Sequence, residues 1–372
     1  MRIAYCIRPH YQAGGDGVQV VKTKEYVCKT CSESEIDIIT SPEDLNSQYD
    51  LVHIFNYATT ELTRAFFNKA KKLGVSVVSS PIFWDYSYSM MPLPLLLKFN
   101  KEFISEPYVK RHRRYGRLLA SLPVPKLRLI YNNVSNSFRH EIRRFIDQST
   151  IILPNSIEEG EKCCEYSSCP ENWKSKIRVV YNGVDVSGVK IVEREEFFKK
   201  YGLPDNYILQ VGRMEYLKNG LNLLGALMDD PNIPIVFVGS SVGSEKYVSK
   251  LKEMGARRGN VFFISNVPHD EIYSFYYYAK IHVLLSMRES PGLSSLEALS
   301  QGCPIVVSDE RFCPVKTYFK EQCEIVNPFD REAIRIAVLR SIEKPHIPVD
   351  LSMFSWDVVA KQTLNAYKEV LG

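Results

Sequence analysis

The chain has 372 residues, 45% hydrophobic and 24% charged, with a formal net charge of +4. That length accommodates two ordinary domains, each burying its own core, and the composition is that of a folded soluble protein. No apolar run reaches a membrane span, since MMPLPLLL near residue 90 is short and broken by prolines.

The amino terminus, MRIAYCIRPH, has too short an apolar core for a secretory signal and reads as a first strand, so a cytoplasmic protein is expected. Nine cysteines, an odd number scattered along the chain, argue against a disulfide framework. Cys28 and Cys31 form a CxxC without a second pair at zinc-ribbon spacing, so ordinary thiols and no metal site are expected. Charge is uneven. From Lys98 to Arg144, twelve Lys/Arg stand against three Asp/Glu, beside an apolar run. This stretch is either a solvated helix face or a peripheral contact with anionic lipid on the inner face of the cytoplasmic membrane.

The amino-terminal half alternates. RIAYCI predicts a strand, and YQAGGDG a loop with Gly14 and Gly15. VQVVKTKEYVCK reads as a helix, IDII and LVHIF as strands, TTELTRAFFNKAKKLG as a helix ending at Gly74, and VSVVSSP as a buried strand. Such alternation implies a parallel, doubly wound sheet, whose ligands bind beyond the carboxyl ends of its strands. From Asp85 to Asn133 the pattern loosens into Tyr-, Pro- and Arg-rich sequence. SNSFRHEIRRFI and IEEGEKCCEY then read as helices, and TIILPN and IRVVYNG as strands.

Periodicity lapses after Asp185, which sets domains at 1–187 and 188–352. The second half repeats the pattern with strands at YILQVGR, IPIVFVG, NVFFIS and IHVLLS and helices between them. The four tyrosines from Tyr273 to Tyr278 fall on a short helix as packing residues, and without RNP-like motifs no nucleic-acid partner is expected. A last helix, WDVVAKQTLNAYKEVL, occupies 353–372.

Two features carry chemistry. In RESPGLSSLEALSQGCPIVVS, Arg288 to Ser308, a strand exit bears Glu289, Pro291 and Gly292 break the chain, and a short helix carrying Glu297 follows. Amides around Gly292, Leu293 and Ser294, with the helix dipole, favour an anion such as a diphosphate, and the two carboxylates can accept sugar hydroxyls on either side. Upstream, Arg213 ends a strand and Lys218 lies at the next helix entry, a fork and a point charge able to converge on one diphosphate.

These residues resemble family 4 of the retaining glycosyltransferases. The resemblance rests on VVYNGVD (179 to 185), VGRMEYLKN (211 to 219), ESPGLSSLEALSQGCPIVVS (289 to 308) with its Glu-x7-Glu spacing, and FSWDVVAKQTLNAYKEVL (354 to 371). It implies an α/β fold of GT-B type, two facing Rossmann-like domains with parallel sheets and a carboxy-terminal helix crossing back to the first. By position it implies that Arg213 and Lys218 bind the donor diphosphate, Glu289 the transferred sugar and Glu297 the ribose. Gly292, Leu293 and Ser294 would meet phosphates and sugar, Asn266 and Val267 the nucleobase, and Gly14 and Gly15 would close over the phosphates.

Two departures stand out. The histidine that many members place after the strand here reading VVSSPIFWDYSY is missing, which leaves Asp85 as the nearest acceptor-side candidate, and Pro291 stands where an aromatic residue is frequent. The expected activity is transfer of a hexose-type sugar from a UDP or GDP donor to a glycan or lipid-linked acceptor. Without Asp-x-Asp, no metal or other cofactor is expected. The alternatives are a catalytically inactive, membrane-peripheral binding protein and a sugar-nucleotide epimerase on the same architecture.

Overall fold

The structure, a computed structural model, describes all residues except 86–135, 170, 186–187, 242–244, 266 and 320–322. Described residues fall into two compact units, one of Met1–Asp85, 136–184 and Ser352–Gly372, the other of Asp185–Leu351. Residues 98–135 of the basic stretch lie outside the described residues. Within 136–144, Arg144 donates to Asn68, Arg143 donates to the Ser168 carbonyl, and Arg139 lies over the Tyr166 ring. Among the described residues, no helix is long and apolar enough to cross a membrane.

The first unit holds five parallel strands, β1 (Arg2–Cys6), β2 (Glu35–Ile39), β3 (Leu51–Phe55), β4 (Ser76–Ser80) and β5 (Ile151–Ile152), ordered β2-β1-β3-β4-β5. Strands such as LVHIF are buried along their whole length, as expected where helices cover both faces. Helices α1 (Gly15–Thr30), α2 (Thr60–Leu73), α3 (Asn136–Gln148) and α4 (Ile157–Ser167) alternate with the strands. The order reverses between β1 and β3, so a crevice opens beyond their carboxyl ends. The helix expected from Val18 starts earlier: Gly15 is its first residue and Gly14 its N-cap. The strand expected over 177–183 is absent, and Ile177 and Val184 make isolated bridges to Ile152 and Ser355 instead.

The second unit holds six parallel strands, β6 (Ile208–Val211), β7 (Ile235–Val238), β8 (Val261–Ile264), β9 (Ile281–Leu284), β10 (Ile305–Ser308) and β11 (Cys323–Val326), ordered β11-β10-β9-β6-β7-β8. Its order reverses between β6 and β9. Helices α5 (Arg194–Tyr201), α6 (Gly220–Ala226), α7 (Glu245–Arg258), α8 (Ile272–Tyr278), α9 (Leu293–Ser300), α10 (Val315–Tyr318) and α11 (Arg331–Ile342) cover it. Leu223, Leu224, Phe237, Leu251, Val283 and Val338 are buried together in its core.

The last helix, α12 (Trp356–Leu371), belongs to the first unit and packs on α1, burying Trp356, Val359, Leu364 and Tyr367 among Val20, Val27 and Tyr5. A buried polar chain fixes its register. The Tyr367 hydroxyl donates to Tyr5 at 2.7 Å and lies 2.7 Å from His53 Nδ1, while His53 Nε2 lies 2.9 Å from the Ser80 hydroxyl. Burial pushes the His53 pKa down to about 3, so the imidazole is neutral here.

The stretches VVYNGVD and FSWDVV meet at this point. Val184 N–H donates to the Phe354 carbonyl at 2.9 Å, and a Cβ on Gly183 would lie 2.3 Å from Trp356 Cδ2. Only glycine admits the indole. Gly183→Ala should therefore lower unfolding stability by about 1–3 kcal/mol through overpacking, read as a fall in the denaturant midpoint.

Candidate active site

The reversal between β6 and β9 brings two strand exits side by side. After β6 the chain passes Gly212 and Arg213 into a 3-10 turn, Tyr216–Lys218, and α6. After β9 it runs through Glu289 to α9. Met287 N–H donates to the Leu217 carbonyl at 2.9 Å, which fixes one exit on the other, and within the β6 exit Gln210 donates to the Lys218 carbonyl at 3.1 Å. Gly212 has φ +144 and neighbouring Gly239 φ +148, and a Cβ on Gly239 would fall 2.0 Å from the Gly212 carbonyl oxygen. A side chain at Gly239 would displace the Arg213 loop.

These ties place Lys218 Nζ on Glu289 Oε1 in an ion pair whose side chains are only 18% and 13% exposed. Glu289 is anchored by its own amide, which donates to the Phe312 carbonyl at 2.7 Å. The Glu289 stem borders Gly292, the left-handed (φ 94) N-cap of α9, reached through a cis Ser290–Pro291 bond. The first-turn amides of Leu293 and Ser294 have no acceptor inside the helix, whereas Ser295 N–H donates to the Gly292 carbonyl at 3.0 Å. One ammonium, one carboxylate and a helix start thus share a small region. The arrangement suits an anion that bears hydroxyls.

Arg213 stands apart from the pair. Its side chain is 58% exposed and pairs with Glu215 at 2.9 Å. Val267 is half-buried, three residues past β8, and Asn266 lies outside the described residues.

Glu297 lies one turn further along α9, facing α8. The Tyr276 hydroxyl donates to Glu297 Oε2 at 2.9 Å, and the Tyr273 hydroxyl bonds Asp185. Burial pushes the Glu297 pKa up to about 7, opposed by the Tyr276 hydrogen bond and reinforced by the Asp185 carboxylate. Under α9, buried His282 of β9 has Nδ1 at 3.5 Å from the Ser295 hydroxyl and, among the described residues, no hydrogen-bond partner at Nε2. Burial, with the Lys218 charge second, lowers its pKa to about 3. The Tyr276 contact to Glu297 was not anticipated; the run Tyr276 to Tyr278 was its signal, expected only to pack.

In the first unit, Gly14 and Gly15 start α1 beside the β1/β3 crevice. Asp16 pairs with Arg8 through two bonds of 2.8 and 2.9 Å, and accepts from the Asn56 amide at 3.1 Å. A Cβ on Gly14 would lie 2.6 Å from Asp16 Oδ1, so glycine there makes room for this cluster. Asn56 (φ 70) and Ile82 (φ 45) hold left-handed backbone just past β3 and β4, a costly conformation for a β-branched isoleucine. Asp85 is half-buried, five residues past β4, and the Phe83 amide donates to the buried Glu159 carboxylate. Arg8, Asp16 and Asn56 were not anticipated from the sequence.

The matched family is described as glycosyl transferases group 1, over residues 193–352. Those residues are similar to the group 1 glycosyl transferases. The chain is 29% identical over 184 residues to O-antigen chain mannosyltransferase B of Escherichia coli, covering 46% of this chain and 48% of that protein. It is 27% identical over 243 residues to an uncharacterised glycosyltransferase of Methanocaldococcus jannaschii, covering 59% of this chain and 60% of that one. The chain thus spans about half the length of the curated relatives it matches.

Among solved structures, sucrose-phosphate synthase from Thermosynechococcus elongatus superposes with TM-score 0.70 at 14% identity, covering 100% of this chain and 99% of that one. That likeness identifies the fold as GT-B, two Rossmann-like domains with parallel sheets. The family match takes in both strand exits and α9.

A raised Glu297 pKa has a sign that can be tested. From the ordinary carboxylate range up to about 7 the native state holds the proton more tightly than the unfolded chain, so this contribution to stability falls as pH rises. Glu297→Gln keeps an acceptor for Tyr276 and removes the charge. It should unfold at higher temperature than the parent at pH 8, by about 1–3 kcal/mol, with the gap closing near pH 5. Thermal melts across that range measure it.

Proposed function

We propose that the protein is a nucleotide-sugar-dependent glycosyltransferase that moves a hexose-type sugar to a hydroxyl of a glycan or lipid-linked acceptor with retention of anomeric configuration. The observation that carries this reading is the Lys218–Glu289 pair set against the start of α9 within the residues similar to the group 1 glycosyl transferases. A diphosphate laid across the Leu293 and Ser294 amides would meet the Lys218 ammonium, and Glu289 would turn from its ion pair to accept sugar hydroxyls. Arg213, exposed and paired with Glu215 among the described residues, would swing onto the same phosphates. Glu297, oriented by Tyr276, would accept from the ribose.

In the reaction, the bond from the sugar anomeric carbon to the diphosphate oxygen breaks, and charge grows on the departing nucleoside diphosphate. Lys218, Arg213 and the helix amides stabilise that charge more than the ground state. The acceptor oxygen bonds the same face of the anomeric carbon, and its proton passes to the released phosphate oxygen. No side-chain base is needed, which fits a protein whose buried His282 is held neutral and whose Asp85 is the nearest acceptor-side acid. The donor is of UDP or GDP type. The reaction is metal-independent in this reading, since the protein's own cations neutralise the diphosphate. Relatives named for mannosyl and inositol phosphate glycosyl transfer support a sugar donor and a hydroxyl acceptor. A cytoplasmic location, with a lipid-linked acceptor approached at the inner membrane face, fits the same reading.

Incubation of the protein with a panel of UDP and GDP sugars and candidate acceptors, read by mass spectrometry, tests this. A glycosidic product is expected. Lys218→Ala and Glu289→Gln should each lower turnover by about 100-fold or more with unchanged circular dichroism. An isomerised donor with no glycoside would show an epimerase instead, and parental turnover by either variant would remove these residues from the site.

A further inference from the structure

The nine cysteines are all free thiols, and two of them meet at the carboxyl end of α4. There Ser168 takes left-handed backbone, φ 55 and ψ 50. Cys169 N–H donates to the Cys164 carbonyl at 3.1 Å and Ser168 N–H to the Glu165 carbonyl at 3.4 Å. These crossed bonds are a Schellman closure, which lays the side chain just past the left-handed residue against the one near the helix end. The two positions usually carry an apolar contact. Here both carry thiols, close enough to shift each other's titration in opposite directions. The 3.1 Å bond from Cys169 N–H to the Cys164 carbonyl holds the two backbones together, and a disulfide spans Cα atoms roughly 4.4–6.8 Å apart.

The two sulfurs are unequal. Cys164 is buried, whereas Cys169 is half-buried, with the Ser167 hydroxyl 2.9 Å from its sulfur. That hydroxyl also lies 2.9 Å from the Cys163 carbonyl, so its one proton goes either to that oxygen or to the Cys169 sulfur. The Cys164 thiol lowers the Cys169 pKa most, against burial, with Ser167 and Arg143 helping and Asp147 opposing, to about 7. Cys164 is raised by Cys169 and by burial, and Cys163 is raised by burial and the Glu159 carboxylate. One thiol is thus poised as nucleophile while its neighbour holds the proton.

We propose that Cys164 and Cys169 form a thiol–disulfide exchange site for low-molecular-weight disulfides of the glutathione type. The Cys169 thiolate attacks one sulfur of the small disulfide, forming a mixed disulfide and releasing one thiolate. The Cys164 thiol then gives up its proton and attacks the Cys169 sulfur, expelling the second small thiol and closing a Cys164–Cys169 disulfide. Both protein thiols are oxidised and one small disulfide is reduced to two thiols. In a reducing compartment the bridge is transient, reopened by the small thiol in excess.

The test treats the full chain with oxidised glutathione and maps non-reduced peptides by mass spectrometry. The wild type is expected to carry a Cys164–Cys169 bridge and no glutathione on either residue. Cys164→Ser should trap glutathione on Cys169, and Cys169→Ser should leave Cys164 unmodified. In the untreated protein, iodoacetamide should alkylate Cys169 at least about 10-fold faster than Cys164, at a rate rising through pH 7. A stable glutathione adduct on wild-type Cys169, a bridge joining other cysteines, or equal alkylation of the two thiols would each overturn the proposal. The wild-type mapping decides the matter even where a serine variant fails to fold.

Discussion

The contact on which the second unit's chemistry depends is the Lys218–Glu289 ion pair. Each side chain is mostly withdrawn from water, so each needs the other. Sequence places them 71 residues apart; the strand order places them together. Because β6 and β9 are neighbours at the point where the sheet reverses, their exit loops share one crevice, and Met287 bonding to Leu217 locks the two exits in register. The pair then stands before the amides that begin α9. Under the proposed function a diphosphate and sugar hydroxyls would take over this charge arrangement, so binding would exchange partners rather than bury bare charges.

Glu297 illustrates a different physical solution. Among the described residues it pairs with no cation; its partner is the neutral hydroxyl of Tyr276, and the Asp185 carboxylate works against its charge. A carboxylate so placed is easily neutralised, and hydroxyl donors would favour its ionised form. In the first unit the cost is held in the backbone, in Asn56 and Ile82, while His53 and Tyr367 secure the helix that returns from the second unit.

Much of this was legible in the sequence, because parallel strands buried on both faces write themselves as apolar runs such as IPIVFVG and LVHIF. The helix at Thr60–Leu73, with Gly74 at its end, followed from its periodicity. The start of α1 was less legible, since GGDG reads as loop although Asp16 and Gly14 make a helix N-terminus there. IRVVYNG has strand composition, but its carboxyl end is drawn to Phe354 and Trp356, a tertiary contact no local pattern reports.

At the site, residue types and spacing singled out Glu289, Glu297, Lys218 and Gly292. They did not reveal that Arg213 turns to Glu215, that Tyr276 holds Glu297, or that Arg8, Asp16 and Asn56 gather beside the Gly14 turn. Those facts depend on which loops the sheets bring together.

The central claim is that the Lys218, Glu289 and α9 region receives a nucleoside diphosphate. The most direct measurement is a crystal structure of the protein with bound UDP or GDP. Diphosphate oxygens are expected within hydrogen-bonding distance of Lys218 Nζ and of the Leu293 and Ser294 amides, with the ribose on Glu297. A nucleotide bound elsewhere, with the Lys218–Glu289 pair intact and its surroundings empty, would contradict it.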